Sequence, residues 1–102
     1  MKNVLYGKCV KCGKTYEATP DLTTCECGGI LDITYDYDYI KTQLTKEKLA
    51  ARTERTMWRY RELLPIEETT EPTPLRVGWS PLYDEPRLAA QLGLKQLWVK
   101  DD

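Results

Sequence analysis

Two short stretches, KCVKCGKTY from Lys8 to Tyr16 and TTCECGG from Thr23 to Gly29, decide the reading of this chain. They hold all four of its cysteines, as a Cys9-x2-Cys12 pair and a Cys25-x-Cys27 pair. Four thiolates satisfy a tetrahedral Zn²⁺ at bonds of about 2.3 Å, and each pair can sit on a tight turn that presents both sulfurs inward. Gly13 and Gly28 follow the second cysteine of each pair, where the backbone must turn and a positive φ is cheapest for glycine. The second pair is one residue shorter than usual, but a disulfide between Cys25 and Cys27 would be strained, which favours metal over a bridge. Inert reduced thiols and a redox pair remain the alternatives.

A site with four cysteine ligands is closed to water and substrate, so it holds a fold and does not catalyse. Apparent zinc affinities of about 10 to 16 kcal/mol in small fingers exceed what forty residues gain from a small core. Residues 1–40 are therefore expected to be a zinc ribbon with Cys9, Cys12, Cys25 and Cys27 as ligands.

Downstream of the second pair, ILDITYDYDY alternates Leu31, Ile33, Tyr35, Tyr37 and Tyr39 with Asp32, Thr34, Asp36 and Asp38. Strict period 2 predicts one half-buried strand over all nine positions. Residues 41–64 change period: Thr45 can cap KEKLAARTERTMWRYRELL, with Thr53 and Thr56 dividing it into two short helices or leaving one long one, and Pro65 ending either. Trp58 and Tyr60, with Leu63 and Leu64, are expected to clamp the ribbon onto the α/β part of the chain. Arg59, Arg61 and Glu62 read as surface or interdomain ion pairs.

Residues 65–85 form a Pro-rich connection that crosses the surface without packed structure. Beyond it, Asp84 is expected to cap a short helix with Pro86 in its first turn, Leu88 and Leu92 on one face and Gly93 at its end. LKQLWVK then starts a strand, so residues 86–102 read as the beginning of an incomplete α/β domain whose strand needs parallel neighbours.

The composition sets limits on function. Fifteen Lys and Arg oppose sixteen Asp and Glu for a formal charge of -1. Four thiolates and one dication would carry that to -3, which does not invite nucleic acid. Lys2, Lys8, Lys11 and Lys14 cluster near the first knuckle, but the acidic strand behind them favours solvated lysines over phosphate contacts. No histidine is present, which removes the commonest general base. The amino-terminal run is too short for a signal peptide, no stretch is long enough for a membrane span, and paired cysteines suit a cytoplasmic setting.

The pattern CxxCG…Y…CxCGGxLD, then MWRYRELLP, PLRVGWSPLYDEPRLAAQLG and LWVKDD, resembles the amino-terminal portion of threonine synthase from Cys9 to Asp102. The resemblance implies a pyridoxal 5'-phosphate enzyme, a lyase of threonine biosynthesis with an α/β fold. It would convert O-phospho-L-homoserine and water to L-threonine and phosphate, with a small-molecule substrate, no membrane or nucleic-acid partner, and homo-oligomerisation left open. It also implies that the Schiff-base lysine comes after Asp102, in a stretch like NPTGSFKDR. On that reading the chain is a fragment, itself inactive, with no catalytic residue assigned, and Lys100 aligns with a different lysine. Ser80 and Lys100 either line the cofactor cleft of the full enzyme or only build its amino-terminal subdomain. Gly78-Trp79-Ser80-Pro81-Leu82 and Asp102 depart from the commoner GxTPL and VKDE, which keeps a relative such as cysteate synthase open. An independent zinc-ribbon adaptor is the alternative from another class.

Overall fold

A computed structural model describes residues Met1–Asp102. Strand β1, Val4–Cys9, is the centre of a three-stranded antiparallel sheet ordered β2-β1-β3. Its neighbours are β2, Thr15–Tyr16, and β3, Leu31–Tyr35. The pairs Gly7 with Tyr16, and Gly7 with Ile33, fix both registers, and an irregularity between Val4 and Tyr6 bends β1 near its start. The sheet is small, and its far end is tied by the two cysteine turns.

β3 stops four residues before the alternation does. The Asp36 carboxylate accepts from the Tyr39 amide at 2.9 Å and caps helix α1, Tyr37–Gln43, so Tyr37 and Tyr39 are helical and not part of the strand. A local hydrogen bond that satisfies an orphan helix donor outweighs the period-2 pattern here. Thr45 caps α2, Lys46–Ala51, through its hydroxyl and the Lys48 amide at 3.2 Å. A separate 3-10 segment, Met57–Leu63, comes next with Tyr60 out of helical geometry, so the region is two short pieces after α1.

Asn3 joins the sheet to this helical segment, and two arginines brace the segment itself. Asn3 is buried, and its Nδ2 donates to the carbonyls of Glu62 at 3.0 Å and Leu64 at 2.7 Å. Its own carbonyl accepts from the Asp36 amide at 2.9 Å, which ties the start of β1 to the cap of α1. Arg59 is buried as well, contrary to its expected surface role. Its guanidinium donates to the carbonyls of Leu49 at 2.6 Å, Arg52 at 2.7 Å and Glu54 at 3.3 Å, so three carbonyls at and just beyond the end of α2 compensate the desolvated charge. Arg52 in turn chelates both oxygens of Glu62. Trp58 lies half-buried, with the Arg61 guanidinium 5.9 Å from its ring centroid.

The last third differs from expectation in two ways. The final strand β5, Trp98–Lys100, does find a partner: it pairs antiparallel with β4, Leu82–Asp84, inside the stretch read as unstructured connection. No parallel neighbour is involved. Asp84 therefore belongs to a strand, and Glu85 takes the cap position of α3, Pro86–Gln91, without a side-chain bond. On α3 it is Ala89 that is buried, while Leu88 and Leu92 are exposed. Gly93, at φ 69°, ends the helix.

Only eight of the 102 residues are buried, and Cys9 is the most enclosed side chain among them. The radius of gyration is 18.7 Å, against about 13 Å for a compact domain of this length. The three-stranded sheet has little apolar core, and the cysteine cluster lies where one would sit.

Candidate metal centre

The two turns that carry the cysteines have parallel constructions. At the first, the Cys9 amide donates to the Lys14 carbonyl at 2.9 Å and the Gly13 amide to the Cys9 carbonyl at 3.0 Å. At the second, the Cys25 amide donates to the Gly29 carbonyl at 2.9 Å and the Gly28 amide to the Cys25 carbonyl at 2.8 Å. Gly13 and Gly28 stand at φ 78° and 79°, in the left-handed region where a side chain is strained. Cys25 and Cys27 thus lie on a closed turn.

These turns face each other. All four sulfurs lie within 4.8 Å of one another, with Cys9 to Cys27 at 3.6 Å and Cys12 to Cys25 at 3.5 Å. A tetrahedral ion with bonds of about 2.3 Å holds its sulfurs about 3.8 Å apart, so shifts of about 1 Å or less would bring the cluster onto such an ion. Cys9 and Cys25 are buried, Cys12 and Cys27 exposed. Backbone amides of Lys11 and Cys12 point at the Cys9 sulfur from 3.4 and 3.5 Å. Gly29 leaves the space the cluster needs, since a Cβ there would stand 2.6 Å from the Cys9 sulfur.

The electrostatics point to a cation. Hydrogen bonding from Tyr16, then the Cys27 amide, brings the Cys25 thiol down to about 6. The Cys12 amide lowers Cys9 in the same way. Cys27 goes the other way: its bond from the Gly29 amide lowers it, but the neighbouring sulfurs of Cys25, Cys9 and Cys12 together push it up to about 12. Negative charge on sulfurs this close is mutually repulsive, and a dication among them would offset it. Four sulfur ligands leave no open position, which suits a structural ion.

Sequence reading singles out the four cysteines but not Tyr16, Gly29 or Asn3. Tyr16 and Gly29 are legible only as members of the repeated pattern; Asn3 carries no local signal.

Elsewhere, Ser80 and Lys100 do meet. Lys100 Nζ donates to the Ser80 carbonyl at 2.9 Å and Asp102 at 2.8 Å and also contacts the Ser80 hydroxyl, which itself bonds Asp102. This cluster clips the turn before β4 to the end of β5. Lys100 is thus engaged as a structural clip, and nothing in the cluster assigns it or Ser80 to pyridoxal phosphate. A cleft of about 400 Å³ between the amino terminus and the helical segment is lined by charges that are engaged: Lys2 pairs with Glu68 and Arg52 with Glu62, Glu67 takes the terminal ammonium, and Lys48 and Arg61 donate to backbone carbonyls. No helix is long and apolar enough to cross a membrane.

No family profile matches the chain, and no solved structure matches it. Curated relatives do. The threonine synthase of Methanocaldococcus jannaschii is 45% identical over 95 residues, which cover 93% of this chain and 23% of that protein. The threonine synthase of Methanosarcina acetivorans is 40% identical over 96 residues, 93% of this chain and 22% of its own length. The cysteate synthase of the same organism is 31% identical over 94 residues, 90% of this chain and 19% of its length. The chain is therefore homologous to a segment of threonine synthases, and it spans less than a quarter of the length of these relatives.

Proposed function

We propose that this chain is the amino-terminal part of a threonine-synthase-like enzyme, in which zinc on Cys9, Cys12, Cys25 and Cys27 stabilises a ribbon and performs no chemistry. The observation that carries this reading is the 45% identity, which runs through 93% of the chain and so takes in both the cysteine turns and the later blocks. A zinc ribbon shared by chance would match only its own forty residues.

The proposed organisation is a ribbon at 1–40, a helical segment at 41–64, a Pro-rich connection at 65–85 and the opening of the cofactor-binding domain at 86–102. The whole enzyme would take O-phospho-L-homoserine and water to L-threonine and phosphate in the cytoplasm. The electron sink such a reaction needs would come from pyridoxal phosphate held by the rest of the enzyme. Nothing in these 102 residues is assigned to that chemistry. Their contribution is mechanical: Asn3 ties the ribbon to the helical segment, Arg59 and the Arg52–Glu62 pair brace that segment internally, and the Lys100 clip fixes the β4–β5 hairpin. The exposed apolar groups of that hairpin and of α3, including Leu82, Leu92 and Trp98, suit coverage by further protein.

A cysteate-synthase-like substrate choice is the second reading, favoured only by the weaker 31% match. The test is to read the codons after Asp102 and assay the full-length product. A lysine-bearing stretch like SFKDR, and phosphate release from O-phospho-L-homoserine that depends on pyridoxal phosphate, are expected. Sulfite-dependent turnover of O-phosphoserine instead would move the reading to the second relative. A stop codon directly after Asp102 would leave an independent zinc-ribbon adaptor.

A further inference from the structure

Tyr16 reaches from the sheet into the metal centre. It is the last residue of β2, a strand of two residues, and its backbone pairs with Gly7 of β1. Its hydroxyl crosses to the second cysteine turn, where it lies 3.1 Å from the Cys25 sulfur and receives the Glu26 amide at 3.4 Å. With a metal on Cys25, the direction of the bond follows. The amide can only donate, so it occupies an oxygen lone pair, and a metal-bound thiolate has no proton to give. The hydroxyl proton therefore goes to Cys25.

The surroundings hold the ring in place. Lys14 Nζ sits 5.2 Å from the Tyr16 ring centroid and 2.6 Å from the Glu26 carboxylate, so one lysine at the exit of the first turn spans the ring and the second turn together. Cys9 receives backbone amides, but no other cysteine of the four is approached by a hydroxyl.

We propose that Tyr16 is a positioning residue of the metal centre, whose hydroxyl donates to the metal-bound Cys25 thiolate and thereby tightens metal binding and restrains that sulfur's reactivity. This rests on the metal reading of the four cysteines. The bond withdraws electron density from sulfur, stabilises its negative charge and aims its lone pairs toward the ion. It also couples the metal to the sheet, because the same residue closes the edge of β2 against β1.

The test compares the wild-type chain, Tyr16→Phe and Tyr39→Phe, each loaded with Co²⁺ and then titrated with a competing chelator. Tyr39→Phe removes a hydroxyl that bonds Glu68 at 2.8 Å, far from the cysteines in the chain, and serves as the control. In Tyr16→Phe the ligand-field bands should keep their tetrahedral pattern, while the sulfur-to-cobalt charge-transfer band moves to longer wavelength. Metal affinity should fall about tenfold, the low end of the range for lost outer partners. Tyr39→Phe should match wild type in both. Wild-type loading with an unchanged band and unchanged competition in Tyr16→Phe overturns the role of Tyr16 alone. Failure of the wild-type chain to take up one tetrahedral ion overturns the metal reading and this inference together.

Discussion

Gly29→Ala adds one methyl group, and the structure places it against the metal ligands. The new Cβ would stand 2.6 Å from the Cys9 sulfur, 2.9 Å from the Lys11 Cβ and 3.4 Å from the Cys27 sulfur. Contacts of 3.4 Å and beyond are ordinary, so the Cys9 sulfur or the turn at Gly29 must yield by about 0.8 Å, the gap between 2.6 and 3.4. Neither can yield freely. The Cys9 sulfur is a vertex of the cluster, 3.6 Å from Cys27, and the Gly29 carbonyl holds the Cys25 amide at 2.9 Å. Overpacking of this kind costs about 1 to 3 kcal/mol. If the cost falls on the metal-bound state, affinity drops between about fivefold and about 150-fold, because 1.4 kcal/mol is a factor of ten.

Gly28→Ala is the informative partner. Its added Cβ would meet nothing within 4 Å, but its φ of 79° makes any side chain strained. That backbone strain costs about 1 to 2 kcal/mol and need not move a sulfur. Chelator competition on both variants, with Co²⁺ spectra as the readout of geometry, separates the two causes. Gly29→Ala should distort the tetrahedral spectrum while Gly28→Ala keeps it. A Gly29→Ala chain with wild-type affinity and spectrum would refute the packing argument.

Two further predictions concern the helical segment. Arg59→Met keeps most of the side chain's bulk but removes the donors to the carbonyls of Leu49, Arg52 and Glu54, and should lower stability by about 3 kcal/mol, read as a shifted denaturant midpoint; an unchanged midpoint would mean that the carbonyls find other donors. Hydrogen bonding to Arg52 depresses the Glu62 carboxyl below its ordinary 4.5 despite partial burial. A depressed carboxylate contributes stability that is present above the ordinary value and lost as pH falls through the folded one. Glu62→Gln should therefore lose about 1 kcal/mol near neutral pH and show a flatter decline below pH 4.5 than wild type, measured by denaturation across that range. Parallel pH profiles in the two proteins would count against the pair.

Legibility in the sequence tracks the range of the physics involved. The cysteine turns are local: spacing, and a glycine after each second cysteine, describe a turn with little help from the rest of the chain. The caps at Asp36 and Thr45 are equally local, yet only Thr45 stands out, because the Asp and Tyr alternation after Ile33 imitates a longer strand and hides the Asp36 cap. The β4–β5 pairing is illegible for another reason. A helix leading into an apolar strand suggests a parallel sheet, and the three residues of β4 are too few to announce themselves among prolines. Arg59 misleads through its charge, since its partners are backbone carbonyls that no side-chain pattern records. Asn3 bonds residues 59 and 61 positions away, and Tyr16 acts on a cysteine in the other turn. Such contacts exist only once the fold has formed.

X-ray absorption at the zinc edge, on the chain purified under reducing conditions, tests the claim beneath all of this most directly. One zinc per chain surrounded by four sulfurs at about 2.3 Å is the expected result. A chain that folds the same β2-β1-β3 sheet with no bound metal, or with oxygen and nitrogen replacing sulfur around it, would contradict the account.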